Sequence, residues 1–135
     1  AVARTIYKEP YQTLPMKHSW SEGNEIKVEY SWKIKGIWNS VSVKAESTPF
    51  SFDENSEADF ITEHYWGYTK ISNARTNEFE VRHPAWNIYK IKNFEVNVDF
   101  EANYGADFKF LNQQQPSSVM LAEGSEISVG NKRKL

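Results

Sequence analysis

The segment "EIKVEYSWKIKGIWNSVSVKAES", residues 25–47, decides the fold because its apolar and polar residues alternate. Every second position from Ile26 to Ile34 is apolar, and the alternation resumes in "VSVKA", residues 41–45. A period of two gives each strand one buried face and one solvent-facing face. Gly36 allows the chain to turn between the two strands. The segment therefore predicts an antiparallel hairpin.

The regions on either side of this hairpin also predict strands. Residues 1–8 predict a short helix that ends before Pro10. Residues 11–20 predict an extended segment that is an edge strand or carries a bulge, because Pro15 lacks a backbone donor. Further strands are predicted at 68–72, at 77–83, at 89–100 with a bulge near Asn93, and at 118–129 with an interruption at Gly124. We expect about six or seven strands and two short helices in one domain. The predicted class is mainly β, an antiparallel barrel or sandwich with minor helices.

The second predicted helix lies in "DENSEADFITEHYW", residues 53–66. Asn55 or Ser56 is suited to cap its first turn, where acidic residues interact favourably with the helix dipole. Spacings of four and three residues predict an apolar stripe on one face, formed by Ile61, Tyr65 and Tyr68. Gly67 marks the expected end of the helix.

The charge balance excludes several classes of partner. The chain of 135 residues has a net charge of −2, so it has no basic field to hold a nucleic acid backbone. The basic cluster Lys132–Lys134 is interpreted as a solvated tail. No apolar run reaches the length of a membrane span and no signal segment opens the chain, so a membrane partner is not expected. A cytoplasmic location is the prediction, which the absence of cysteine fits.

The residue types needed for several kinds of catalytic site are missing or scattered. Without cysteine there is no thiol nucleophile and no thiolate metal site. The three histidines, His18, His64 and His83, lack the spacing of a zinc motif, so no metal is predicted. The sequence contains neither a G-x-S-x-G elbow nor a glycine-rich phosphate loop, and no cofactor is predicted.

Two segments carry candidate functional residues. Glu63 lies among aromatic residues, where burial would raise the pKa of its carboxyl group and suit it to acid–base chemistry. The alternative is an exposed carboxylate on a helix that shares a face with Asp59 and Trp66. In "HPAW", residues 83–86, a His-Pro pair ends a strand beside a tryptophan, which either fixes a chain reversal or directs Arg82 or His83 into a cavity mouth.

Three segments resemble the uncharacterised YqjF-like family, which has an acetoacetate decarboxylase-like fold. The segments are "EPYQTLPM" (9–16), "DFITEHYWGYT" (59–69) and "VRHPAWNIY" (81–89). The departures from the family pattern are His64 where arginine is usual, and Arg82 and Ala85 in the third segment. The resemblance covers the whole chain but only the C-terminal half of a family member. It therefore implies that the chain is the C-terminal part of one such domain.

The resemblance also implies which chemistry is excluded. Acetoacetate decarboxylases carry a Gly-x-Pro-Lys-Lys motif whose first lysine forms a Schiff base with the ketone. In this chain Pro10 matches the proline, but Tyr11 and Gln12 stand at the two lysine positions and cannot form an imine. Schiff-base decarboxylation is therefore not expected.

Three hypotheses for function remain open. The first is binding of a small organic acid in an aromatic-lined pocket, with ligand contacts from Tyr11, Tyr65, Arg82 and Trp86. The second is an enzyme on small organic acids with Glu63 and His83 as acid–base groups and Arg82 holding a carboxylate. The third is a structural module that forms homo-oligomers through strand edges.

Overall fold

The computed structural model describes Thr5 and residues 12–135. The helix predicted at residues 1–8, apart from Thr5, and Tyr11 lie outside the described residues. Contacts divide the chain into two compact units. Unit one is built mainly from Phe52–Asn87 and Glu123–Leu135, and unit two from Leu14–Ser51 and Ile88–Ala122. The prediction of a single domain stays a prediction.

The described residues form nine strands and three short helices. The strands are β1 (Met16–Ser21), β2 (Glu25–Ile34), β3 (Ile37–Phe50), β4 (Trp66–Ser72), β5 (Arg75–Arg82), β6 (Ile88–Asn97), β7 (Leu121–Ala122), β8 (Ser128–Val129) and β9 (Arg133–Lys134). The helices are α1 (Glu57–Thr62), α2 (Phe100–Tyr104) and a 3-10 helix (Ala106–Gln113). The fold is mainly β, as predicted, and every strand pairing found in this part of the chain is antiparallel.

Unit two contains a five-stranded sheet in the order β1-β2-β3-β6-β7. The hairpin predicted from residues 25–47 is confirmed, since Ile26 pairs with Ala45 and Ile34 with Ile37. Lys35 and Gly36 form its turn with φ angles of 49° and 85°. Positive φ angles at both turn positions match the twist of the flanking strands. The segment predicted as an edge strand contains β1, which lies at the edge of the sheet.

One face of this sheet carries the core of unit two. Ile26, Val28 and Ala45 are buried, and Val43, Tyr89, Ile91 and Leu121 pack against them. The pairing of β3 with β6 shifts by one residue, because Lys44 pairs with Asn93 and Ala45 with Ile91. Lys92 is thus the extra residue of a β-bulge, which confirms the bulge predicted near Asn93.

The strand predicted at 89–100 ends earlier than expected. β6 stops at Asn97, and Asp99 caps α2 by accepting a hydrogen bond from the backbone N–H of Ala102 at 3.0 Å. Asn39 is 1% exposed, and its side-chain oxygen accepts from the backbone N–H of Asp99 at 2.8 Å and from Asn103 at 3.0 Å. A buried amide with three partners therefore fixes α2 to the sheet, an arrangement that strand periodicity does not reveal.

Unit one contains a second sheet, in which β5 pairs with β4, β8 and β9. Helix α1 begins after the predicted cap Ser56, whose hydroxyl accepts from the backbone N–H of Asp59 at 3.2 Å. The helix ends at Thr62, so the predicted helical stripe was wrong: Tyr65 follows the helix and Tyr68 lies in β4. The face predicted for Asp59, Glu63 and Trp66 was wrong for the same reason. Bulky aromatic residues favour strands, and here that preference wins over the helical spacing.

Gly67 is a strand residue, not the end of a helix. It pairs with Phe79 across β4 and β5, and a β-carbon at Gly67 would lie 2.3 Å from the ring of Phe79. The glycine is therefore needed for the aromatic ring to pack over the neighbouring strand.

Two further predictions are corrected. Neither sheet in the described part of the chain closes into a barrel. The basic cluster at 132–134 is not a free tail, because Arg133–Lys134 pairs with β5 and Arg133 binds Glu78. Among the described residues, none of the helices has the length and apolar character needed to cross a membrane.

Candidate functional site

Four of the predicted site residues meet in unit one, where the segment after α1 lies beside the segment after β5. The backbone N–H of Val81 donates to the carbonyl oxygen of Tyr65 at 2.8 Å, which holds the two segments together. Side-chain contacts link four residues in the order Glu63, Tyr65, His83 and Trp86. We call these four residues the Glu63 cluster.

Glu63 has two carboxylate oxygens in different environments. Its Oε2 accepts a short hydrogen bond from the hydroxyl of Tyr65. Its Oε1 is buried and has no hydrogen-bond partner, and it is the one side-chain atom of this kind among the described residues. The backbone of Glu63 is held at the end of α1, where its N–H donates to the carbonyl oxygen of Asp59 at 2.9 Å. The alternative interpretation of Glu63, a carboxylate exposed on a helix, is wrong.

The rings of the cluster form a stack on the other side of Tyr65. The ring centroids of Tyr65 and His83 are 5.0 Å apart, and those of His83 and Trp86 are 4.1 Å apart with an angle of 18° between the planes. All three residues are partly buried. The imidazole of His83 is thus held between two aromatic rings, which restricts its rotation.

Hydrogen bonds also hold two members of the stack, the central His83 and the outer Trp86. The Nδ1 of His83 lies 2.9 Å from the carbonyl oxygen of Pro84, so Nδ1 carries the proton in the neutral ring. The indole N–H of Trp86 donates to the hydroxyl of Ser125 at 2.9 Å. Sequence reasoning missed Ser125, since it lies 39 residues away from Trp86.

The negative charges of Glu63 and Asp59 act on the hydroxyl of Tyr65. The hydrogen bond to Glu63 raises the pKa of Tyr65 above 10.0, and the desolvation of Tyr65 and the charges of Glu63 and Asp59 act in the same direction. Tyr65 is therefore a donor to Glu63 across the physiological pH range.

Arg82 does not join the cluster. Its guanidinium forms an ion pair with Glu80 at 2.7 Å, and its side chain is 72% exposed. The pKa of Glu80 is lowered, chiefly by this hydrogen bond. His64 is exposed and packs against Phe60. The contribution predicted for Tyr11 lies outside the described residues.

A second tyrosine–glutamate pair lies elsewhere in unit one. Glu78 is 7% exposed and accepts a hydrogen bond from Tyr68, which raises the pKa of that tyrosine. Arg133 forms an ion pair with Glu78, and its guanidinium carbon lies 5.1 Å from the ring centroid of Trp66. Sequence reasoning missed the ion pair because Arg133 and Glu78 are 55 residues apart.

A metal-binding group and a cavity are two further features that a functional site can have. Across the residues that the structure describes, no group of three or more histidine, aspartate and glutamate side chains is placed to hold a metal ion. A cavity in unit two is lined by none of the predicted site residues.

The comparison with known protein families gives one match. A model of the DUF2071 family, described as an uncharacterised conserved protein, matches residues 1–126. The chain belongs to this family. No curated protein and no solved structure matches the chain. The resemblance to YqjF-like proteins and to the acetoacetate decarboxylase-like fold stays a prediction.

Proposed function

We propose that this member of the DUF2071 family binds a small organic molecule at the Glu63 cluster. The observation that carries the proposal is the buried Oε1 of Glu63, which has no hydrogen-bond partner in the part of the chain that the structure describes. A buried acceptor without a partner costs about 1–3 kcal/mol, and more when the group is charged. A hydrogen-bond donor on a ligand would remove that cost.

The surroundings of Glu63 define what the donor would be attached to. Tyr65 occupies the other carboxylate oxygen, and the stacked rings of His83 and Trp86 continue from Tyr65. A flat apolar group would pack against such rings, and its hydroxyl or amine would reach Oε1. The ligand that fits best is therefore a small aromatic or unsaturated molecule with one donor group.

The acidic surroundings favour a neutral or cationic donor over a carboxylate. Asp59 adds a second negative charge near Tyr65, and Arg82, the cation next to His83 in the sequence, is paired with Glu80. Binding of an organic acid, the first hypothesis from the sequence, would require Arg82 to leave Glu80 and hold the ligand carboxylate. We retain the organic acid as the second ligand class.

The test uses four ligands with the same ring and different substituents. Benzyl alcohol and benzylamine carry a donor, toluene carries none, and benzoate is the organic acid. We expect the two donors to raise the melting temperature of the protein in proportion to the logarithm of their concentration, and toluene to have no such effect. If toluene stabilises the protein as strongly as benzyl alcohol, Glu63 is not the acceptor.

Glu63→Gln provides the matched variant. Its amide keeps one oxygen for Tyr65 and presents an NH2 group where the donor of the ligand would lie, so stabilisation by benzyl alcohol should disappear. Glu54→Gln, which makes the same change at an exposed position, should bind as the wild type does. Benzoate binding that depends on Arg82 would favour the organic acid instead.

A specific observation favours catalysis as the second candidate function. Since Nδ1 of His83 carries the proton, its Nε2 is the basic nitrogen of the neutral ring. The two residues predicted as acid–base groups both contact Tyr65, Glu63 through the hydroxyl and His83 through the ring, which supports an acid–base role for the pair.

Deuterium exchange tests this candidate. If His83 acts as a base, the protein should accelerate exchange at the carbon next to the carbonyl group of a short keto acid such as pyruvate. His83→Asn should abolish the acceleration, whereas His18→Asn should retain it. Equal exchange in both variants would remove the enzymatic hypothesis and leave the binding hypothesis intact.

A further inference from the structure

A second binding site is indicated in unit two, on the apolar face of the five-stranded sheet. A cavity of about 260 Å³ lies over β2, β3 and β6 and is bordered by residues 119–121. Its floor consists of two rows of paired residues, Val28–Val43–Phe94 and Tyr30–Val41–Val96. The floor of the cavity is thus part of the sheet itself, whereas Val119 and Met120 on its border precede β7.

The chemistry of the lining is almost entirely hydrocarbon. Ser42 and Glu95 also border the cavity, but strand alternation directs their side chains to the opposite face, so they contribute through their backbone. A buried water needs two to four polar partners, and these rows do not supply them. The cavity therefore favours an apolar occupant over ordered water.

The size of the cavity sets the size of that occupant. An engineered apolar cavity of about 150 Å³ in another protein stays dry and binds benzene, which has six carbon atoms. By proportion, 260 Å³ accommodates about ten carbon atoms. Tyr30 lines the cavity and is 43% exposed, so the cavity opens to solvent on the side of this residue.

We infer that this cavity binds an uncharged hydrocarbon group of about ten carbon atoms, either a fused aromatic ring or a medium-length alkyl chain. The site is separate from the Glu63 cluster, because no residue of the cluster lines it. The inference does not rest on the proposed function.

The two methionines of the chain offer a direct test. Met120 lines the cavity, whereas Met16 does not line it and is 64% exposed. With carbon-13 in the methionine methyl groups, these two residues give separate NMR signals. Naphthalene should shift the Met120 signal saturably, by the ring current of a bound aromatic molecule, and leave the Met16 signal in place. Decan-1-ol should displace naphthalene if the site also accepts an alkyl chain.

Variants in β3 confirm the location. Val41→Phe fills the cavity and should weaken naphthalene binding by about tenfold or more, which corresponds to ~1.4 kcal/mol. Ser40→Phe adds the same ring on the opposite face of the strand and should leave binding unchanged. Glu63→Gln should also leave it unchanged, so failure here is distinguishable from failure of the proposed function.

Two results would overturn the inference. One is a Met120 signal that does not move up to the solubility limit of naphthalene and of decan-1-ol. The other is equal movement of both methionine signals, which would indicate unspecific adsorption. Both results are read on the unmodified chain, so they hold even if Val41→Phe does not fold.

Discussion

Unit one contains two glutamates that accept a hydrogen bond from a tyrosine, and their remaining surroundings differ. Glu78 is buried, is bound by Tyr68 and forms an ion pair with Arg133. Glu63 is bound by Tyr65, but among the described residues its buried Oε1 has no hydrogen-bond partner and its carboxylate forms no ion pair. Within that part of the chain, Glu78 thus has an oppositely charged partner and Glu63 has none.

This difference separates a structural carboxylate from a candidate binding carboxylate. A buried charge is tolerated when it is paired and hydrogen-bonded, and Glu78 meets both conditions. One carboxylate oxygen of Glu63 is hydrogen-bonded and the other is not, and among the described residues this carboxylate forms no ion pair. Buried aromatic surroundings and a tyrosine partner are therefore not sufficient to identify a site, and the missing partner is what distinguishes Glu63.

The largest expected effect is on stability and concerns Glu78. Glu78→Gln removes the charge that binds Arg133, so we expect the free energy of unfolding to fall by about 1–3 kcal/mol. Glu63→Gln should change it by less than about 0.5 kcal/mol, since the amide keeps the bond to Tyr65 and removes an unbalanced charge. Urea unfolding followed by circular dichroism measures both values. Equal losses in the two variants would mean that Glu63 is structural as well.

The next largest effect concerns the removal of the Arg133 charge. Glu78 would then keep its tyrosine partner and lose its ion pair, as is the case for Glu63 among the described residues. The charge of Arg133 lowers the pKa of Tyr68, which acts against the larger raising effect of the hydrogen bond to Glu78. Arg133→Met should therefore raise the pKa of Tyr68 further. NMR titration with carbon-13 at the tyrosine ring carbon that bears the hydroxyl resolves this, with Lys134→Met as the control. An unchanged pKa would show that the charge of Arg133 does not reach the tyrosine, and a downward shift would contradict the sign of its effect.

Alkaline pH gives a smaller effect with a defined sign. The pKa of Tyr65 is raised in the folded protein, chiefly by the hydrogen bond to Glu63, so the folded state holds this proton more tightly than the unfolded state. The resulting stabilisation is present below the unfolded pKa of 10.0 and is lost as pH rises through the folded pKa. In Tyr65→Phe the loss of stability between about pH 9 and pH 12 should be shallower than in the wild type. A parallel decline in both proteins would contradict the assignment.

The smallest expected effect concerns Arg82. Its pair with Glu80 is exposed to solvent, and exposed pairs contribute little to stability. Arg82→Gln should leave the melting temperature and the binding of benzyl alcohol unchanged. Loss of benzoate binding in this variant, with benzyl alcohol binding retained, would assign Arg82 to an organic acid and revise the ligand class.

The sequence predicted those parts of the fold in which a local pattern is complete. The β2–β3 hairpin follows from strict alternation and a turn glycine, and the bulge near Asn93 follows from a change in the phase of that alternation. The end of α1 could not be predicted, because the spacing of Ile61, Tyr65 and Tyr68 fits a helix while their neighbours favour a strand. In the structure the strand preference wins, because Gly67 lies in β4 with the ring of Phe79 packed against it.

The candidate site could be predicted only where its members are close in sequence. Glu63 and Tyr65 are two residues apart, and His83 and Trp86 are three apart, so short aromatic motifs contain both pairs. Contacts across long separations, such as Trp86 with Ser125 and Glu78 with Arg133, leave no local pattern. These are also the contacts that distinguish one glutamate from the other.

The bulge at Lys92 has a consequence for the cavity in unit two. If Lys92 were a regular residue of the strand, the alternation that places Ile91 on the apolar face would continue to Asn93 and Glu95. The bulge reverses the parity of β6, so that Phe94 and Val96 form the wall instead. A single-codon deletion of Lys92 would therefore give a strand without a bulge that still places Phe94 and Val96 on the apolar face, and the cavity would keep its preference for apolar occupants.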